Sequence, residues 1–236
     1  MKLFERPLLA LFPRRCAYCG KPVAPERGSC RKCEAELPRI KGDICLRCGR
    51  GSEYCACRGS AAYYDSLIAP FYYEVCVRCG LHAFKFRRDP RRAEAFGSEM
   101  AHSVVERYPA VDFDIIVSVP MTKRSLRDRG YDQCALLAQR LADETGVPYK
   151  PGAIVKIYET EKQHGLSYYL RKGNLTGVFD IPQPQLIKDK CVLLCDDIST
   201  SGETMNECAK MLWLCGAREI RCVALALPKM NKKKKK

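Results

Sequence analysis

No apolar run in this sequence of 236 residues approaches the ~20 residues that cross a bilayer as a helix. A helical membrane span is therefore not expected. Histidine is scarce: His82, His102 and His164 are dispersed, so no histidine-built metal or catalytic cluster is offered. Neither GxxxxGK[ST] nor GxGxxG occurs, which removes the P-loop and the dinucleotide fingerprint. The opening stretch MKLFERPLLALFP is only faintly like a secretion signal. Its apolar part runs about seven residues between prolines, with no small-residue cleavage site. The expected location is the cytoplasm.

What the sequence has in excess is cysteine, sixteen in all. Without a secretion signal, and with most of the early ones paired, they read as metal ligands rather than disulfides. Cys16-x2-Cys19, Cys30-x2-Cys33, Cys45-x2-Cys48 and Cys55-x-Cys57 all fall in the first sixty residues. Two cysteines this close bend a short turn around one ion, and two such turns complete a tetrahedral four-thiolate site suited to Zn²⁺ or iron. Taken in order, the eight make two such sites, read as structural zinc because closed four-thiolate coordination leaves no position for substrate. Gly20 and Gly49 follow the second cysteine of their turns, where positive φ is often required. Cys76 and Cys79 stand at i and i+3 of a helical stretch, and Cys191, Cys195, Cys208, Cys215 and Cys222 lie in apolar runs. These seven are expected as small core residues.

Lysine and arginine outnumber the acids, for a formal charge of +14. Two four-thiolate zinc sites at −2 each bring this to about +10. Five of the positives lie in KKKKK at 232–236, so residues 229–236 read as a basic, solvated tail. The remainder is still basic and points to an anionic partner.

After about residue 60 the pattern alternates strand and helix. SLIAPFYYE reads as a strand or hairpin, 75–86 as a short helix, and a second helix opens at Pro90 and runs to about Tyr108. DFDIIVSVP, AIVKIY, KCVLLCDD and REIRCVALALP are strand candidates. Helices are expected from Tyr131 to Glu144 and from Glu203 to Cys215, closed by Gly146 and Gly216. Near-continuous apolar strands between helices predict an α/β domain over 61–228, a mostly parallel sheet covered on both faces. A small double zinc module over 1–60 precedes it.

The stretch KCVLLCDDISTSGET (190–204) carries the most chemistry. It delivers Asp196 and Asp197 to the carboxyl end of a strand, where ligands sit in such sheets. Adjacent carboxylates suit vicinal hydroxyls or a hydrated Mg²⁺. The amides of the following helix, with Gly202 and the hydroxyls of Thr200, Ser201 and Thr204, form a nest for phosphate. A sugar phosphate satisfies both halves.

VLLCDDISTSGET closely resembles the phosphoribosyl-pyrophosphate (PRPP) motif of type I phosphoribosyltransferases. SVPMTKRSLRDRGYDQCALLAQRLA, YETEKQHGLSYYLRKGNLTGVF and RCGLHAFKF resemble segments of the ComF family, a double zinc ribbon joined to a phosphoribosyltransferase-like domain. With the cysteines, the resemblance runs from Cys16 to Leu227. It implies a type I phosphoribosyltransferase-like, Rossmann-like fold that binds PRPP with Mg²⁺. Asp196 and Asp197 would serve catalysis and, with Ser199, Thr200, Ser201, Gly202, Glu203 and Thr204, hold the phosphoribosyl part. Val119, Pro120, Met121, Thr122, Lys123 and Arg124 would take the diphosphate. Arg129 and Gln133, with Gln163, Arg171 and Asn174 of a lid segment, would contact substrate. Asp132 stands where the family usually has Asn, Lys156 where it has Arg, and Ser201 where Thr is commoner.

The resemblance further implies a role in handling imported single-stranded DNA during natural transformation, alongside other cytoplasmic DNA-uptake proteins. FKFRRDPRR (84–92) sets Phe84 and Phe86 among Lys85, Arg87, Arg88, Arg91 and Arg92. Basic groups would follow a strand's backbone while aromatics stack its bases. The alternative is an active transferase that releases pyrophosphate on transfer of phosphoribose to a small acceptor, which no residue names.

Overall fold

The computed structural model describes residues 13–55, 57, 61–157 and 178–230. Seven strands form among these residues: β1 (Ser66–Ile68), β2 (Phe71–Tyr72), β3 (Ile115–Ser118), β4 (Val155–Lys156), β5 (Phe179–Asp180), β6 (Cys191–Ile198) and β7 (Glu219–Leu227). The main sheet has the order β1-β7-β6-β3, with β2 also on β7, and every pairing in it is parallel. β4 and β5 make a separate antiparallel pair. The stretch 66–74 is thus no hairpin: β1 and β2 run the same way along β7, interrupted at Ala69 and Pro70. Proline lacks the N–H that a continuous ladder needs.

β6 and β7 are buried on both faces because helices cover both. Successive side chains of a strand point to opposite sides. Leu193, Cys195, Val223 and Leu225 accordingly share one core with α2 (Val75–Phe86), α3 (Arg92–Arg107) and α5 (Gln133–Thr145). Val192, Leu194, Cys222 and Ala224 share the other with α6 (Glu203–Leu214). The chain also holds α1 (Arg31–Ala35) in the ribbon stretch and α4 (Lys123–Arg129) after β3.

The helix ends have local causes. Thr122 caps α4 by accepting from the Ser125 N–H at 2.9 Å, and Gly130 closes it in the left-handed region. Asp132 caps α5 by accepting from the Ala135 N–H at 2.9 Å, and Gly146 closes it. Gly216 follows α6 with φ +83. α4 was not legible beforehand, and α3 begins two residues beyond Pro90, whose carbonyl accepts from Ala93.

Among the described residues the cysteine-rich stretch has no separate core. Cys16, Ala17, Tyr18 and Cys33 belong to the same cluster as the sheet and its helices. Gly80 on α2 makes this possible, since a Cβ there would stand 2.8 Å from the Ala17 carbonyl. Among the described residues no helix is long and apolar enough to cross a membrane.

Candidate functional site

The eight ribbon cysteines assemble in sequence order. The ligand atoms of Cys16, Cys19, Cys30 and Cys33 lie within 4.8 Å of one another, and so do those of Cys45, Cys48, Cys55 and Cys57. Four thiolates at this spacing surround an ion bonded at ~2.3 Å, the zinc–sulfur distance, so the donor sets fit structural zinc. Gly20 and Gly49 have φ +78 and +69, as those turns require. Of the remaining thiols, Cys76, Cys191, Cys195, Cys208, Cys215 and Cys222 are buried as core residues, but Cys79 is exposed. The i, i+3 spacing places it at the rim of α2's buried stripe rather than inside.

At the carboxyl end of β6, Asp196 and Asp197 are only 8% and 6% exposed. Asp196 Oδ1 accepts from the Asp197 N–H at 2.7 Å and from the Cys134 thiol at 3.3 Å. Asp197 Oδ1 accepts from Lys85 Nζ at 2.8 Å. Burial pushes the Asp196 carboxyl up to about 7, and the Asp197 charge adds to the rise. Burial likewise raises Asp132, with Asp197 again a contributor. Asp132 therefore both caps α5 and adds to a group of carboxylates faced by the Lys85 ammonium and by the Arg129 guanidinium, which lowers Asp132. The ligand atoms of Cys134, Asp196 and Asp197 fall within 4.8 Å of one another. Gln133 is fully buried: its Oε1 accepts from Arg129 Nη1 at 2.7 Å, while its Nε2 has no partner. Excess buried anion beside an unused amide donor fits a cation held together with a polar ligand.

The hydroxyl half follows at once. Ser199 is buried and its N–H donates to the Ala226 carbonyl at 3.2 Å. Thr200, Ser201, Glu203 and Thr204 are exposed. Gly202 enters α6 at φ +84 with no capping side chain of its own; the Glu203 N–H makes a long bond to the Ser201 hydroxyl at 3.4 Å, which an anion at the helix start would compete for. The second predicted segment lies alongside: the Val119 N–H donates to the Cys195 carbonyl at 2.9 Å. That bond holds Val119, Pro120, Met121 and Thr122 next to β6, with Lys123 and Arg124 exposed beyond them. Gln163, Arg171 and Asn174 lie outside the described residues.

The basic segment divides. Lys85 faces inward onto Asp197. Arg92 is 8% exposed, paired with Asp89 and donating to the Ala17 carbonyl. Neither is free for a nucleic-acid backbone, because both lie on the α2 and α3 faces turned toward the protein. Phe84 is buried against Phe96 and Tyr131. Arg87, Arg88 and Arg91 stay at the surface, with Phe86 at 62% exposure under the Arg129 guanidinium. Sequence reasoning misses Lys85 and Cys134 at the carboxylates; the helix end Lys85-Phe86 carries the signal for Lys85.

Residues 8–79 match the double zinc ribbon domain model, and residues 132–236 match the phosphoribosyl transferase domain model. The fold and the site thus define a zinc-ribbon protein with a type I phosphoribosyltransferase-like domain. Its relatives include the DNA utilization protein YhgH of Salmonella typhimurium, 29% identical over 89% of this chain and 95% of that one. Competence protein F of Haemophilus influenzae is 26% identical over 93% and 99%, and competence protein ComFC of Bacillus subtilis 28% over 80% of each. The chain thus joins a double zinc ribbon to a phosphoribosyltransferase domain, as a homologue of these competence and DNA utilization proteins. Solved structures similar to it include an allosteric regulatory enzyme of purine biosynthesis, 20% identical with a TM-score of 0.41 over 61% of this chain. The match spans only 29% of that enzyme. An adenine phosphoribosyltransferase is 18% identical with a TM-score of 0.38, over 59% and 74%.

Proposed function

We propose that this protein binds PRPP with Mg²⁺ in the cytoplasm and serves the handling of imported single-stranded DNA. The observation that carries the reading is one continuous turn of chain. Two buried carboxylates lie near the end of β6, and the hydroxyl-rich loop leads directly into the N-terminus of α6. Asp196 and Asp197 take the ribose hydroxyls. The loop amides, with Thr200, Ser201 and Thr204, take the 5-phosphate, and the segment Val119 to Arg124 takes the diphosphate. Mg²⁺, when bound, supplies counter-charge to the ribose hydroxyls and diphosphate. Lys85 holds Asp197 in place, and Arg129 fixes Gln133 with its amide N–H₂ directed to an unfilled partner. The names of the relatives, a DNA utilization protein and competence proteins, support the DNA part. So does the exposed group Phe86, Arg87, Arg88 and Arg91, which follows directly on Lys85.

Transfer of phosphoribose to a small acceptor is the second reading. The joint presence of the carboxylates, phosphate loop and diphosphate segment favours it, since that chemistry needs positioning and charge rather than a covalent catalyst. Calorimetric titration of Mg²⁺-PRPP into wild type and an Asp196→Asn/Asp197→Asn variant tests the shared core. We expect the variant to bind at least about 100-fold more weakly, as loss of two charged contacts implies. A folded, zinc-loaded wild type that does not bind refutes PRPP as ligand. For DNA, anisotropy with a single-stranded oligonucleotide should show affinity falling steeply with salt, and more gently with salt once Arg87, Arg88 and Arg91 are alanine. Pyrophosphate release on adding an acceptor would favour the transferase.

A further inference from the structure

Arg50, in the second ribbon, is charged and only 6% exposed. Three backbone carbonyls receive its guanidinium. Nε donates to Pro228 at 2.7 Å, Nη1 to Cys48 at 3.2 Å and Nη2 to Thr200 at 2.8 Å. One side chain therefore ties a cysteine turn, the chain just past β7, and the phosphate loop to a single plane. The planar fork holds its N–H donors on separate atoms in fixed directions, whereas a lysine ammonium offers its three donors from a single atom on a flexible stem.

The ribbon around Arg50 is itself sewn to the sheet. Leu67 N–H donates to the Leu46 carbonyl at 2.7 Å. Gly51 N–H donates to the Tyr72 hydroxyl at 3.1 Å, and the Tyr64 hydroxyl to the Arg47 carbonyl at 2.9 Å. The Arg50 carbonyl accepts from the Cys45 N–H at 2.8 Å, inside the cysteine turn. The bond to Thr200 has a directional consequence. All described peptides are trans, and in a trans peptide the carbonyl and the following N–H point oppositely. Drawing the Thr200 carbonyl toward the ribbon aims the Ser201 N–H away from it, on the loop's other side.

We infer that Arg50 is a positioning residue that sets the phosphate loop, so that the folded state of the second ribbon governs how well the loop holds a phosphate. This rests on the PRPP reading above. The ligand class is the 5-phosphate of a sugar, held through main-chain N–H groups that Arg50 orients without touching the ligand.

The test uses the full chain as wild type, Arg50→Ala and Arg50→Lys. Zinc is measured by elemental analysis, backbone exchange by mass spectrometry over residues 199–204, and binding by calorimetry with Mg²⁺-PRPP. Arg50→Ala should keep its zinc, speed exchange in the loop about tenfold and weaken Mg²⁺-PRPP about tenfold, the effect of one charged hydrogen bond. Arg50→Lys should move both readouts in the same direction by less. A purely structural role would speed exchange across the molecule instead of in the loop. Wild-type loop exchange and affinity in zinc-loaded Arg50→Ala would overturn the inference. Should that variant lose zinc or unfold, folded Arg50→Lys with unaltered loop exchange would overturn it. Should wild type itself not bind Mg²⁺-PRPP, the PRPP reading falls, and the exchange comparison still decides whether Arg50 holds the loop.

Discussion

The first cysteine cluster faces helices, and the second faces the end of the sheet. Around the first, contacts are largely apolar: Tyr18 lies edge-on to Phe71 and tilted against Phe96, and Cys16 and Ala17 join the main core. Around the second, hydrogen bonds run from main chain to main chain at β1, to the Tyr72 hydroxyl at β2, and from the Arg50 guanidinium to the phosphate loop. Two modules with the same ligand chemistry therefore do different mechanical jobs. Apolar burial stabilises without fixing direction, whereas hydrogen bonds to carbonyls fix peptide planes. The first ribbon adds to the core; the second orients a loop.

Glycines at matching turn positions give the largest contrast. Gly49 has φ +69, and a Cβ there would stand 2.8 Å from Leu227 Cδ1 and 2.9 Å from the Leu67 carbonyl. Gly49→Ala should cost about 3–5 kcal/mol from left-handed strain plus overpacking. Gly20 has φ +78 and its nearest neighbour at 3.6 Å, so Gly20→Ala should cost only about 1–2 kcal/mol. Denaturant melts of both variants measure the difference, and equal losses would break the comparison.

Arg92 is the first ribbon's counterpart to Arg50, buried and donating to the Ala17 carbonyl. Arg92→Ala should lower stability by about 2–3 kcal/mol while leaving Mg²⁺-PRPP affinity unchanged. A loss of affinity would mean that both ribbons reach the site. The smallest effect isolates the carboxylates from either ribbon. The folded Asp196 carboxyl lies near 7 against an ordinary 3.8, so between those values the folded state holds a proton that the unfolded state has released. Its contribution to stability therefore falls as pH rises through this window and levels off above about 7. Urea melts from about pH 5 to about pH 7, compared with Asp196→Asn, should show a difference declining with pH. A rising difference would contradict the sign.

Much of this was legible because it is local. Cysteine pairs report a turn around an ion, and Asp196 to Thr204 report a strand end, a loop and a helix start in one run. What stayed hidden spans long separations. Lys85 reads as one more cation in FKFRRDPRR until α2 turns it onto Asp197, 112 residues away. Arg50 reads as a surface residue after Cys-x2-Cys-Gly, yet its partners lie 150 and 178 residues on. Asp132, odd as a replacement for Asn, is explained by the cap it supplies, since either side chain accepts from the same amide. Of the two readings of SLIAPFYYE, the hairpin fails because a Pro-broken apolar run looks like a turn between antiparallel strands, and only β7 shows that both pieces are strands facing one partner.

The position of β7 has a consequence for how the molecule comes into being. It sits between β6 and the β1–β2 edge, yet of the described strands it is the last to leave the ribosome. β1 must wait for a partner about 150 residues downstream (Ser66 pairs with Arg221), and such non-local closure is slow. The cysteine turns, whose ligands are close in sequence, are free to capture metal long before that. On a translating ribosome the cysteine turns would then already hold metal while the sheet is still two unjoined parts and the shared core is incomplete. The newly made β7 would close between β6 and an edge already held in place by zinc.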